Sequence, residues 1–292
     1  MFVATLVASG SIGQGDISEA ADRLRDAGCR PGETAWLDRD KAADLLFAAD
    51  PVQARAALTD WGQGVDVIVQ PVANREKKLL IADMDSTMIT VECIDELADY
   101  AGIKPQIAEI TERAMRGELD FAGALHGRVA LLKGLADSAI DQCRDERVVI
   151  MGGARALVRT MKARGAKTLL VSGGFTRFTG PVAEEIGFDA AVANELEIAD
   201  GALLGTVTTP IVDAARKRAE LEAAIAGGID RALTLAVGDG ANDIPMIEGA
   251  GLGVAYHAKP KTRAAAAAEI VHGDLSVLLY AQGIASADWV TP

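Results

Sequence analysis

Three short apolar runs, each breaking off into acidic, glycine or hydroxyl residues, constrain this 292-residue chain more than any other feature. Leu79-Leu80-Ile81-Ala82 leads into Asp83-Met84-Asp85-Ser86-Thr87. Lys167 to Val171 leads into Ser172-Gly173-Gly174, and Ala232 to Val237 into Gly238-Asp239-Gly240-Ala241-Asn242-Asp243. A short apolar run bounded by turn residues reads as a strand buried on both faces, the condition of a parallel sheet covered by helices. Helical patterns at Gly153 to Arg164, Phe178 to Ile186 and Asp213 to Ala226 alternate with these runs, and Leu252 to Ala255 adds a late strand. An α/β fold with a parallel sheet and helices on both faces follows. In such a sheet the C-terminal strand ends share one edge, so the three polar stretches converge there.

The rest of the chain divides around this frame. After the first acidic stretch, Glu92 to Ala101, Pro105 to Arg116, Phe121 to Leu132 and Ala136 to Arg144 are helical, with breaks near Gly102, Gly117 and Gly134. This is a helical insert placed where it can cover a site at the strand edge. Residues 2–8, Thr34 to Leu37, Ala43 to Phe47 and Val65 to Val69 are strand-like, and Ile17 to Ala27 and Pro51 to Trp61 helical. That β-α-β-β-α-β order predicts a small ferredoxin-like α+β domain. The glycine-rich loop Ser9 to Asp16 lacks a Gly-Lys-Ser/Thr ending and reads as a plain loop. Asp200-Gly201 marks a hairpin within Glu195 to Val207, and Ala264 to Ala268 reads as part of a solvated helix. The polar stretch Pro71 to Lys78 places the boundary: one domain over 1–73, a second over 74–292, and a helical cap over approximately 88–148.

Composition narrows the partners. A net charge of −13, without a cluster of Lys or Arg, argues against nucleic acid and anionic membrane. Cys29, Cys93 and Cys143 share no ligand spacing, which argues against a disulfide framework or zinc. No export or insertion signal is visible, so a cytoplasmic location is expected.

The converging edge carries complementary chemistry. Asp83 and Asp85 project to the same side if the strand includes both; if it stops at Asp83, the turn decides where Asp85 points. One carboxylate can act as nucleophile while its neighbour carries the proton, provided a cation relieves their repulsion. The acids offer hard oxygen ligands suited to Mg²⁺. Ser172 and the amides around Gly173 offer donors to phosphoryl oxygens, and Lys217 on the preceding helix a positive charge. Plainer readings exist for each: Asp-x-Asp as a turn or cap, Ser172 or Glu92 as a helix cap, Phe121 as core, Arg128 as a solvated charge, Asp243 as a loop acid.

Asp-x-Asp-Ser-Thr, Ser-Gly-Gly-Phe, a helix-borne Lys and Gly-Asp-Gly-Ala-Asn-Asp, in that order and with an insert after the first motif, resemble the haloacid dehalogenase superfamily. From about Leu79 to Leu279 the chain is similar to its phosphoserine phosphatase branch, the insert contributing Val91 to Glu96 and Phe121 to Leu135. The first domain resembles a divergent ACT-type regulatory domain. The resemblance implies a Rossmann-like sheet with a helical cap and an Mg²⁺-dependent hydrolase that converts O-phospho-L-serine to L-serine and phosphate, the last step of serine biosynthesis. It further implies Asp83 as the nucleophile that becomes an aspartyl phosphate and Asp85 as acid and base. Mg²⁺ would be held by the Asp83 carboxylate, the Asp85 carbonyl and Asp239. Ser172, Gly173 and Lys217 would bind the phosphoryl group, with Asn242 near the substrate and Asp243 orienting Lys217. Glu92 and Arg128 would read the serine ammonium and carboxylate, and Phe121 would act as an apolar lid. Two alternatives stay open: a phosphatase or phosphotransferase for another small metabolite such as phosphohomoserine or phosphoglycolate, and a non-catalytic phospho-acceptor signalling module. For the N-terminal domain, an amino-acid effector site, a homodimer contact and simple packing on its neighbour are all open.

Overall fold

The computed structural model describes residues 1–291 apart from 60, 63, 116 and 117. The chain begins with β1 (Phe2–Ala8), α1 (Gln14–Asp26), β2 (Pro31–Asp38), β3 (Ala42–Phe47), α2 (Pro51–Leu58) and β4 (Val65–Pro71). These form an antiparallel sheet in the order β2-β3-β1-β4, the expected ferredoxin-like arrangement. The glycine-rich loop serves to start a helix: the Gly13 N–H donates to the Asp16 carboxylate at 2.7 Å. Asp50 starts α2 by accepting from the Val52 and Gln53 N–H groups ahead of Pro51.

The insert and the second sheet follow. After β5 (Leu79–Ala82) come α3 (Cys93–Tyr100), α4 (Lys104–Met115), α5 (Phe121–Leu131), α6 (Ser138–Arg147) and α7 (Ala154–Ala163). Then β6 (Lys167–Phe175), α8 (Thr176–Ile186), β7 (Ala190–Asn194), β8 (Leu196–Ala199), β9 (Ala202–Val207) and α9 (Ala214–Ala226) lead to β10 (Thr234–Gly238). The last elements are α10 (Ile244–Gly249), β11 (Leu252–Tyr256), α11 (Pro260–Ala265), β12 (Ala268–Ile270) and α12 (Val277–Ala281). Six strands make a parallel sheet in the order β12-β11-β10-β5-β6-β7, with β5 inside it. Leu80 and Ala82 pack on one face with Leu157 and Val158, while Leu79 and Ile81 pack on the other with Leu221 and Met246. Burial on both sides explains why this strand shows no polar alternation.

The insert leaves the sheet through a narrow stem. Ile89 and Ile150 form an antiparallel bridge, with Thr90 N–H donating to the Val149 carbonyl and Met151 N–H to that of Met88. The β8–β9 hairpin grips the insert from the other side: Gly134 N–H donates to Leu203 O at 2.8 Å, Leu203 N–H to Leu135 O at 2.9 Å, and Asp137 N–H to Gly201 O at 3.0 Å. Nothing local in the hairpin sequence announces this grip.

The N-terminal sheet is covered on both faces. Ala4 and Leu6 face Ile17, Leu24 and Leu58 of the two helices, whereas Val7, Ala42 and Ile68 join the core around Leu275, Leu278 and Leu279. Polar groups lock this second face. Arg75 donates to both Asp44 oxygens at 2.6 Å, to Thr5 Oγ1 at 2.9 Å and to the Ala281 carbonyl at 2.7 Å. Asp66 accepts from the consecutive N–H groups of Val271, His272 and Gly273.

Two expectations are corrected. The stretch Ala264 to Ala268 is not one helix: α11 ends at Ala265, and Ala268 opens β12 because β11 offers a free strand edge, pairing Val254 with Ala268 and Tyr256 with Ile270. Ser172-Gly173-Gly174 does not follow its strand but lies inside β6, where the pairing with β7 slips between Val171 and Phe175. Asn194 holds the irregularity, donating to the Gly173 carbonyl at 2.8 Å and accepting from Val212 N–H at 2.7 Å. The expected helix end at Arg116 and the break at Gly117 lie outside the described residues. Among the described residues no helix is long and apolar enough to cross a membrane.

Candidate active site

The ends of β5, β6 and β10 are neighbours in the sheet, and a buried lysine ties two of them together. Asp213 caps α9 by accepting from the Arg216 N–H at 2.8 Å, which sets Lys217 in the first turn facing the sheet. Lys217 is fully buried and donates to Asp83 Oδ1 at 2.6 Å and to Asp243 Oδ1 at 2.7 Å. Its neighbours turn outward, Arg216 onto Glu220 and Arg218 onto Glu222, so position 217 alone can serve. Burial by itself lowers the lysine pKa, but Asp243 and Asp83 more than reverse this and hold it as an ammonium.

The carboxylates are crowded. Asp83, Asp239 and Asp243 each bring an oxygen within 4.8 Å of the others. Asp243 is committed behind the front pair, since its Oδ2 accepts from the Gly240 N–H at 2.9 Å. Gly238 has to be glycine, because a Cβ there would run into the Asp243 carboxyl group. Burial and then the Asp243 charge push the Asp83 carboxyl well above its usual range, against the pull of Lys217. Asp239, which accepts from Thr87 Oγ1 at 3.3 Å, is pushed up to about 6, by burial first and by Asp243 and Glu92 next. β5 stops at Ala82, so the turn sets the direction of Asp85. Its Oδ1 is buried without a hydrogen-bond partner, and burial followed by the Glu92 charge raises its pKa to about 7.

Above these groups lies a cleft of ≈ 590 Å³ that Asp83, Asp85, Ser172, Gly173, Asp239 and Asn242 line from below. Ser172 is buried; its Oγ accepts from the Gly174 N–H at 2.9 Å, leaving its own hydrogen to donate. The insert supplies the roof. Asp120 caps α5 by accepting from the Gly123 N–H at 2.7 Å, and Phe121 and Arg128, seven residues apart on that helix, both line the cleft. The Phe121 ring lies so close to Gly173 that a Cβ there would sit 3.1 Å from its Cζ. Arg128 Nε donates to the Ala124 carbonyl at 3.3 Å, and among the described residues no carboxylate pairs with its guanidinium. Burial lowers the Arg128 pKa, with Asp95, Glu92 and Asp85 opposing. Glu92 sits at the start of α3 without capping it; its Oε1 accepts from Ser86 Oγ at 2.8 Å.

The structure thus gathers Asp83, Asp85, Glu92, Phe121, Arg128, Ser172, Gly173, Asp239 and Asn242 around one cleft, with Lys217 and Asp243 beneath it. Residues the sequence reading passed over also border it. Thr87 holds Asp239, and Asp95, Asp120 and Lys259 line the walls. Lys259 follows β11, another strand whose C-terminal end reaches the same edge, which is the signal that could have found it.

Comparison with known proteins gives a consistent relationship. Residues 80–248 match the family model of haloacid dehalogenase-like hydrolases. A phosphoserine phosphatase of Streptomyces coelicolor is 45% identical over 272 residues, covering 90% of this chain and 66% of that protein. One from a Polaromonas species is 45% identical over 224 residues, covering 75% of this chain and 95% of its own. The crystal structure of a probable phosphoserine phosphatase from Vibrio cholerae, in unliganded form, superposes with a TM-score of 0.78 at 32% identity, covering 98% of this chain and 88% of that one. Against other relatives, from Archaeoglobus fulgidus and Mycobacterium tuberculosis, the chain spans 58% of their length.

Proposed function

The chain belongs to the haloacid dehalogenase-like hydrolase family, and we propose that within it the protein hydrolyses O-phospho-L-serine to L-serine and phosphate by way of a phosphate ester on Asp83. The observation that carries this is the Lys217 clamp on Asp83 and Asp243, set directly under a cleft whose roof holds Glu92 and Arg128. Lys217 fixes one Asp83 oxygen and leaves the other to attack phosphorus in line, forming an O–P bond as the bond to the serine oxygen breaks. Asp85, raised to about 7, is substantially protonated at neutral pH and gives its proton to the departing oxygen. The resulting carboxylate then takes a proton from the water that attacks the Asp83 phosphate, which restores both acids. Ser172 and the Gly173 N–H hold phosphoryl oxygens, with Asn242 beside them.

The donor set fits a divalent cation: hard oxygens only, buried and crowded enough to raise Asp83 and Asp239. Mg²⁺ would be held by the Asp83 carboxylate, the Asp85 carbonyl and Asp239, and when bound would stabilise charge on the transferring group. Glu92 suits an ammonium and the unpaired Arg128 guanidinium a carboxylate, which together favour a phosphorylated amino acid over phosphoglycolate.

The test is phosphate release from L-phosphoserine, phosphohomoserine, phosphoglycolate and an aryl phosphate, with Mg²⁺ or EDTA. Preference for phosphoserine, loss in EDTA and loss in Asp83→Asn are expected. Arg128→Ala is expected to lower kcat/KM for phosphoserine about 10- to 100-fold while sparing the aryl phosphate. Preference for another substrate would discard this reading of the roof.

A further inference from the structure

The cleft poses an electrostatic problem that the residues named so far do not solve. Asp83, Asp85, Glu92, Asp95, Asp120 and Asp239 line it, and among the described residues two cations, Arg128 and Lys259, face them. Mg²⁺ would offset Asp83 and Asp239 on the floor, but a phosphate dianion approaching from solvent still passes Glu92, Asp95 and Asp120 of the insert before it reaches Lys217 beneath Asp83. With Arg128 assigned to the substrate carboxylate, Lys259 is, among the described residues, the uncommitted cation in the lining.

Its setting suits a mobile charge on a fixed base. Lys259 occupies the position before α11, with extended backbone at φ −68° and ψ 154°, and Pro260 follows. Its carbonyl accepts from the Thr262 and Arg263 N–H groups at 3.0 and 3.1 Å, and α11 packs on the Ala241–Asp243 turn, so the backbone is anchored beside the site. The side chain is exposed, and among the described residues its ammonium has no hydrogen bond or ion pair. Local structure does not account for a lysine here, since this capping position favours Ser, Thr, Asp or Asn, whose oxygens can accept.

We propose that Lys259 is the phosphate-capturing residue of the cleft: a positioning residue whose ammonium draws the phosphate dianion past the acidic walls and hands it to Asp83 and Lys217. It would likewise hold the product phosphate as it leaves. This rests on the reading of the cleft as a phosphomonoesterase site, but not on the identity of the substrate.

Steady-state kinetics of wild type, Lys259→Gln and Lys259→Arg, on both phosphoserine and an aryl phosphate in saturating Mg²⁺, test it. Lys259→Gln is expected to lower kcat/KM for both substrates about five- to tenfold, with kcat changed less than about twofold. Inhibition by inorganic phosphate should weaken by the same factor, and Lys259→Arg should restore most of the loss. Between about 20 and 200 mM salt, the response of kcat/KM should shift towards that of mutually repelling charges in the Gln variant. Unchanged kcat/KM and salt response in Lys259→Gln would overturn the proposal, as would an equal fall in kcat that Arg does not restore. Wild type that turns over the aryl phosphate but not phosphoserine would refute the substrate assignment alone. If neither is turned over, calorimetric binding of inorganic phosphate with Mg²⁺ still decides: weaker binding in Lys259→Gln supports capture, and equal binding overturns it.

Discussion

Replacing Lys217 by Met removes the cation that two buried carboxylates share while keeping most of the side-chain volume. Lys217 and Asp243 have no exposed side-chain surface and Asp83 has 7%, so water cannot take over the lost contacts of 2.6 and 2.7 Å. Breaking a buried ion pair by removing one partner costs about 3–5 kcal/mol. For a chain of this size that lowers Tm on the order of 10 °C. The penalty depends on pH. Asp83 already has a folded pKa above its unfolded value, and losing the ammonium raises it further, so the variant's deficit is smallest below about pH 4 and grows as pH rises through the folded value. Adding Asp243→Asn removes one of the stranded charges and should recover about 1–3 kcal/mol, a non-additivity expected of directly bonded groups. Activity should not recover with stability: kcat stays down about 10²–10³-fold in the double variant, because the phosphoryl group has lost its buried cation. Urea or thermal unfolding in EDTA at pH 5 and pH 8, alongside phosphate release in Mg²⁺, reads all of this. A deficit below about 1 kcal/mol at pH 8, or a deficit larger at pH 5 than at pH 8, would refute the reasoning.

Three further outcomes follow from the same geometry. Asp85→Asn should lower kcat for phosphoserine about 10²–10⁴-fold but slow Asp83 phosphorylation by an aryl phosphate far less, since an aryloxide leaves without a proton; equal losses in rapid-quench measurements would remove Asp85 as the acid. Mg²⁺ should raise the Tm of metal-free protein, and the gain should grow from pH 5 to pH 8. The reason is that Asp239, raised to about 6, and Asp83, raised well above its usual range, contribute stability below their unfolded pKa that is lost as pH rises through their folded values, while the cation needs both ionised. A gain independent of pH would separate the cation from these acids. Arg75→Met, which strands Asp44 between the N-terminal sheet and α12, should destabilise by about 3–5 kcal/mol in chemical unfolding; a change under about 1 kcal/mol would mean the two parts do not depend on this contact.

Much of this molecule was legible because its signals are local. Period-two burial and uninterrupted apolar runs report which faces of a strand are covered, so the β-α-β-β-α-β order and the parallel sheet could be read before any packing was known. The polar clusters at Asp83, Ser172 and Asp239 were legible for the same reason: strand direction alone sends them to one edge. The slip in β6 at Ser172 to Gly174 was not, because it depends on Asn194 and Val212 reaching across from other elements. Nor was β12, whose alanine-rich start becomes a strand only where β11 leaves its edge free.

By itself, then, the sequence determined the fold class, the converging motifs and the acid-rich chemistry of the edge. Tertiary structure alone decided that Lys217 rather than Arg216 or Arg218 lies buried between two aspartates, and that the β8–β9 hairpin holds the insert. It also decided that Arg75 and Asp44 weld the first sheet to the last helix, that Asp66 holds the same sheet to the loop after β12, and that an ordinary lysine at 259 borders the cleft. The physical reason is range: propensity and periodicity act within a turn or a strand, whereas a buried charge is tolerated only if partners from distant parts of the chain arrive to meet it.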